Sequence, residues 1–278
     1  MRVFALALTV LALASLAFAD IPGGPIYYHT SSKLYVYDPS TGSDTFIGNL
    51  GVSNMVDCAF DKDGKLYGVT GGGGFYRIST GTGAATLVTT TNVPGNLYAM
   101  GMHSAGNFYA AQWGTGDFYN LALSGGTITA TKLGTYNDVD SQFTDTSGNP
   151  VTTLYPRGDI WEATDGTIFA TVCDPGHTKE WLVTVDLTST PKAAEVDCLA
   201  ELTKTFWWAI AGSDDVSPGL VYLLDGSGKT YTWDGTNLSD TGYSTSGAYG
   251  ASAIPAPGAL VLGAMGVAMV AWLKRRMR

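Results

Sequence analysis

Few residues of this 278-residue chain have the types and spacing to bind or transform a small molecule. Trp113 lies in Gln112-Trp113-Gly114-Thr115-Gly116, a stretch that reads as a loop, and an indole face held there can stack on a sugar ring. Asp174 and His177 share the polar segment Asp174-Pro175-Gly176-His177-Thr178-Lys179. Asp138 and Asp140, with Asp145 and Tyr155, fall in a long insertion, 135–157, without strand patterning. Carboxylates and an imidazole accept hydrogen bonds from ligand hydroxyls and, when brought together, can act as acid and base. Trp113, Asp138, Asp140, Asp174 and His177 are therefore the candidate ligand-binding residues.

More demanding chemistry lacks its signatures. The histidines are His29, His103 and His177, in neither an H-x-H nor an H-E-x-x-H spacing, so no zinc site is expected. No G-x-S-x-G elbow is present, and no cofactor motif. Asp61-Lys62-Asp63-Gly64 opens like a calcium loop, but the Glu that would close an EF-hand loop is missing, and a hairpin turn capped by its own aspartates explains it better. A catalytic reading, a hydrolase or lyase, would need His29, His177 and a carboxylate of the insertion to meet in one pocket. The favoured expectation is no catalysis.

The elements that position these residues follow from composition and repetition. Between residues 20 and 253 lie all 24 acids and only ten bases, a net charge of −14 that repels nucleic acid. Twenty of the acids are Asp and four are Glu. Asp favours turns where Glu favours helix interiors, and the body is rich in Gly, Thr, Tyr and Val, so an all-β domain with many tight turns is expected. Cys58, Cys173 and Cys198 are the only cysteines. Cys173 and Cys198, within one repeat, are the preferred pair if a disulfide forms; otherwise all three are small buried hydrophobes.

A four-strand unit recurs. Its clearest copy runs VDCAF (56–60), KLYGVT (65–70), FYRIS (75–79) and AATLVTT (84–90), and further copies cover 97–134, 160–202 and 207–244. Gly64, Gly106, Gly166 and Gly219 mark the turn before the second strand. A fifth copy is split: PIYYHT (25–30), KLYVYD (33–38) and SDTFIG (43–48) lack a first strand, which 248–253 can supply from the other end. Radial repetition closed by both chain ends predicts a five-bladed β-propeller, with an irregular β-sandwich as the alternative. The phrases Tyr37-Asp38-Pro39-Ser40-Thr41-Gly42 and Ala59-Phe60-Asp61-Lys62-Asp63-Gly64-Lys65-Leu66-Tyr67-Gly68 resemble propeller repeats of exported bacterial proteins. In this architecture the loops 71–74, 112–116, 174–179 and 225–228 share one face with the insertion, which is where a ligand is expected. Most of the other tryptophans fall on strands, and core packing accounts for them.

The two ends read as targeting segments. Arg2 and an apolar run lead to Ala17-Phe18-Ala19, a secretory signal (residues 1–19) cut after Ala19. The apolar segment 259–273 is followed by Lys274, Arg275, Arg276 and Arg278, which predicts a single membrane helix with a cytoplasmic C-terminus. At 1.5 Å per residue it reaches about 23 Å, short of a bilayer core unless Trp272 and the cations sit at the interface. With Pro255-Ala256-Pro257 before it, the tail (254–278) resembles the PEP-CTERM sorting signal, although Ala256 stands where that family has Glu. The resemblance implies processing by an exosortase-like enzyme and association with the cell surface and its exopolysaccharide matrix. The resulting expectation is a surface protein that binds or scaffolds an envelope component.

Overall fold

The computed structural model describes residues 24–137, 142–163, 165–188, 194–202, 207–213 and 220–253. Both terminal segments lie outside them, including Ala17 and Ala19 of the cleavage site and Pro255, Ala256, Pro257, Lys274, Arg275, Arg276 and Arg278 of the tail. Among the described residues no helix is long and apolar enough to cross a membrane.

The described residues are all-β and propeller-like. The strands are β1 (Ile26–His29), β2 (Lys33–Asp38), β3 (Ser43–Asn49), β4 (Met55–Phe60), β5 (Leu66–Thr70), β6 (Phe75–Ile78), β7 (Ala85–Thr89), β8 (Leu97–Met102), β9 (Phe108–Gln112) and β10 (Asp117–Ser124). They continue as β11 (Thr127–Asn137), β12 (Tyr155–Glu162), β13 (Ile168–Cys173), β14 (Glu180–Asp186), β15 (Ala194–Leu202), β16 (Trp207–Ser213), β17 (Leu220–Asp225), β18 (Lys229–Trp233), β19 (Leu238–Ser244) and β20 (Gly250–Ala253). Antiparallel four-strand meanders result: β4 to β7, β8 to β11, β12 to β15, β16 to β19, and β20-β1-β2-β3. The second and third are joined into one eight-stranded sheet by a short parallel pairing of Tyr136 and Asn137 on β11 with Ala194 and Glu195 on β15.

Burial falls from the first strand of a meander to its last. Every residue of β4 and β5 is buried, whereas no residue of β3, β7 or β19 is. The first strands pack against one another in a cycle: β20 on β4, β4 on β8, β8 on β12, β12 on β16, and β16 on β20. A two-layer sandwich has no such cycle, so the sandwich alternative is set aside. The split meander forms from both ends, Ile26 to His29 pairing with Ala253 to Gly250. The expected strand 248–253 is therefore real but starts at Gly250.

Irregularities recur in the first strands. The register slips between Met55 and Asp57, Leu97 and Ala99, Pro156 and Ile160, and Trp207 and Ala209. Such bulges bend a strand and re-aim its side chains. The turns explain the excess of Asp. Asp61 Oδ1 accepts the amides of Asp63 (2.9 Å) and Lys65 (2.8 Å). Asp145 and Asp225 take the amides two and four residues on in the same way, at 2.8–2.9 Å. A Glu side chain is one methylene too long for this cap. The Asp61 loop is thus a turn, and Gly64 within it has φ +72°.

Two expectations are corrected. Cys173 and Cys198 are not bonded, because they lie on β13 and β15 with β14 between them. Two strand spacings are about 9.5 Å, beyond the Cα separation a disulfide spans. The insertion is also shorter than 135–157. Thr135 still pairs with Asp117 on β10, and Tyr155 and Pro156 already belong to β12.

Candidate ligand-binding face

The first turns of the inner strands and the loops between second and third strands share one face. There the loop 174–179 is built around Asp174, which is buried and accepts four hydrogen bonds. Its Oδ1 takes the amides of Thr178 (2.6 Å) and Lys179 (2.7 Å), and its Oδ2 takes the Gly176 amide and the Thr178 hydroxyl at 3.0 Å. The short loop forces His177 to φ +53°, a left-handed conformation that costs a non-glycine residue about 1–2 kcal/mol. This lays the imidazole on Trp113, with centroids 4.7 Å apart and planes 13° apart.

Trp113 is the centre of a cluster. Tyr98 and Tyr155 approach it at 5.0 and 5.7 Å, and the Arg157 guanidinium lies 5.9 Å from the ring. Arg157 Nε donates to Glu180 Oε1 at 2.6 Å, and both side chains are almost wholly buried. Cys173 Sγ lies 3.6 Å from His177 Nδ1. Burial pushes the Cys173 thiol up to about 12, and burial followed by the nearby Arg157 charge holds His177 below its ordinary value. Near neutral pH the pair is a thiol and a neutral imidazole, not a thiolate–imidazolium couple.

A groove of about 410 Å³ lies beside this cluster, between the segment 145–153 and the loop 174–178. Thr152, Thr153 and Thr178 supply hydroxyls, Asp145 a carboxylate, and Pro150 and Pro175 apolar surface. The Asp145 carboxyl is held below its usual range by hydrogen bonds from the Asn149 side chain and the turn amides, so it is ionised.

The predicted residues meet different fates. Trp113, Asp174 and His177 do share one face, while Asp138 and Asp140 lie outside the described residues. Trp113 is not a bare platform, since His177, Tyr98, Tyr155 and Arg157 surround its ring. Asp174 borders the groove but spends both oxygens on its own loop. His29 ends β1, fully buried, with Nδ1 on the Thr30 carbonyl at 2.8 Å, in a different meander from His177. His103 lies on the opposite face, bonded to Glu162 at 3.0 Å. The convergence that a hydrolase or lyase reading requires is thus not formed among the described residues. No group of three His, Cys, Asp or Glu side chains suited to a metal occurs among them either.

Sequence reasoning missed Arg157 and Glu180. The available signal was a charge inside an apolar strand: Arg157 between Pro156 and Gly158, and Glu180 directly before Trp181-Leu182-Val183. Tyr98 gives no signal of its own.

No protein-family model matches the chain, and no curated protein does. Solved structures similar to it include the nidogen/laminin complex, at 12% identity and TM-score 0.49, covering 77% of this chain and 74% of that one. An auxiliary nutrient binding protein from Bacteroides ovatus aligns at 12% identity and TM-score 0.45, over 78% of this chain and 54% of its own. A Bacteroides thetaiotaomicron protein of unknown function aligns at 17% identity and TM-score 0.44, over 78% and 56%.

Proposed function

We propose that this chain is an exported, non-enzymatic binding protein: a five-bladed β-propeller spanning residues 20–253, sorted or anchored by its C-terminal tail, that holds a neutral glycan of the envelope or matrix. The five blades are the five meanders. The observation that carries the binding reading is the groove between 145–153 and 174–178. Its threonine hydroxyls match the hydroxyl-rich edge of a sugar, and Pro150 and Pro175 suit its C–H face. The surface charge of −14 disfavours acidic polysaccharides and nucleic acid. Export, membrane attachment and processing rest on the two terminal segments: Ala17-Phe18-Ala19 at one end, and Pro255-Ala256-Pro257 with the basic cluster at the other.

The test is a glycan-array screen of the detergent-solubilised full chain beside Thr152→Trp, which fills the groove from an exposed position. Binding of neutral glycans by the wild type, weakened at least tenfold in Thr152→Trp, is the expected result. Binding unaffected by Thr152→Trp, or confined to acidic glycans, contradicts the reading.

A further inference from the structure

Two buried aspartates lie among the inner strands, bonded to the backbones of their neighbours. Asp57 on β4 and Asp159 on β12 have no solvent exposure. Asp57 Oδ1 accepts the Cys58 amide at 2.6 Å, and its Oδ2 accepts the Met100 amide of β8 at 2.5 Å. Asp159 Oδ1 accepts the Ile160 amide at 2.8 Å. Its Oδ2 accepts Ala251 of β20 at 2.8 Å and Ile210 of β16 at 3.4 Å. Gly250, next to Ala251, presses on Asp57 so closely that a β-carbon there would overlap the carboxylate. All five inner strands therefore touch one carboxyl or the other. The bulges at Val56 and at 157–159 are what turn both side chains inward.

Among the described residues neither carboxyl has a cationic partner. β4 brings only the Cys58 thiol, itself pushed up by burial. β12 brings Arg157, whose guanidinium engages Glu180 beside Trp113. β8 brings Tyr98, which faces Trp113, and β16 and β20 carry no titratable residue. His29, opposite Gly250 on β1, is neutral near pH 7. Two buried carboxylates without a counter-charge cannot both ionise cheaply.

We propose that Asp57 and Asp159 form a proton-dependent clasp: the folded ring keeps at least one proton on the pair, and losing it loosens the contacts between inner strands. Burial, and for Asp57 also the charge of Asp159, raises both carboxyls well above their ordinary value. A group raised in the folded state contributes stability that is complete below its unfolded pKa and is lost as pH rises through the folded one. The clasp is therefore tight in mild acid and weakens toward alkaline pH, opposite to a salt-bridged aspartate.

The experiment uses the full chain in mild detergent. With aspartate carboxyls labelled with carbon-13, NMR of the wild type should show at least one carboxyl that titrates well above the ordinary aspartate range in the folded protein and within that range in urea. Asp57→Asn and Asp159→Asn assign it. Melting temperatures between about pH 5 and 9 should fall in the wild type, with at most half that slope in either variant. Each Asn also places an NH2 group against a backbone amide, so the slope is diagnostic rather than the absolute stability. If every Asp carboxyl of the folded wild type titrates within the ordinary aspartate range, the proposal is wrong, and the NMR arm decides this even if neither variant folds. An equal slope in wild type and both variants also overturns it.

Discussion

Ile26 and Ala253 lie near opposite ends of the described chain and face each other across one antiparallel pair, the last step of a register that begins at His29 and Gly250. The first meander in the chain thereby takes its inner strand from the far end.

A chain ending at residue 244 loses β20 and should suffer accordingly. It leaves β1 with an open edge, and it removes the Ala251 amide from Asp159 and the Gly250 contact from Asp57. We expect residues 20–244 to melt more than about 10 °C below residues 20–253, which corresponds to a few kcal/mol at this size, and to aggregate on heating. Equal melting in calorimetry would mean that β20 contributes nothing.

Gly250→Ala tests the same junction with one methyl group. Its β-carbon would overlap both the Asp57 backbone and its carboxylate, so something must move. A cost of about 1–3 kcal/mol in urea titration is expected for such overpacking. Gly72→Ala, with open space around it, should stay within about 0.5 kcal/mol of wild type.

The repeat, the split fifth copy and the turn glycines Gly64, Gly106 and Gly166 were legible because strand alternation and Gly turns are local signals, while Gly219 lies outside the described residues. Asp57, Asp159, Arg157 and Glu180 were not, because their partners lie on other strands and a lone charge within an apolar run has no local meaning. The candidate site was half legible. The loops bearing Trp113 and His177 could be assigned to one face from repeat phase alone, but the covering of Trp113 by His177 depends on the left-handed His177 backbone. The preference for a Cys173–Cys198 bond failed because two cysteines in one repeat were set on strands separated by a third.

His29 gives the acid limb of stability. Burial holds it down to about 4, its Nε2 has no partner, and Nδ1–H donates to the Thr30 carbonyl. A histidine lowered in the folded state favours folding above its unfolded pKa and loses that advantage as pH falls from about 6.5 toward 4. The loss should be on the order of 3 kcal/mol. In His29→Asn, whose amide can keep the bond to Thr30, stability measured from pH 7 to 4 should fall less steeply. An unchanged slope would place the acid sensitivity elsewhere.

Glu180→Ala should cost about 3–5 kcal/mol, since it leaves the buried Arg157 charge without its carboxylate. Arg157 also lies over Trp113, so the Trp113–His177 stack should loosen. Glycan binding should weaken with it, and tryptophan emission should shift to longer wavelength. Wild-type stability and emission in Glu180→Ala would show that the ion pair does not support the face.

The ring closure itself is tested most directly by a cross-link. Tyr27 and Ser252 are register partners on β1 and β20, both part-exposed. After mild oxidation, peptide mass spectrometry of Tyr27→Cys/Ser252→Cys should show a bond between positions 27 and 252 in most of the folded protein. The offset pair Tyr27→Cys/Ala253→Cys, whose side chains point to opposite faces of the sheet, should show none. Absence of the 27–252 bond under conditions where the protein remains folded, or equal bonding in the offset pair, would contradict a ring closed by its own two ends.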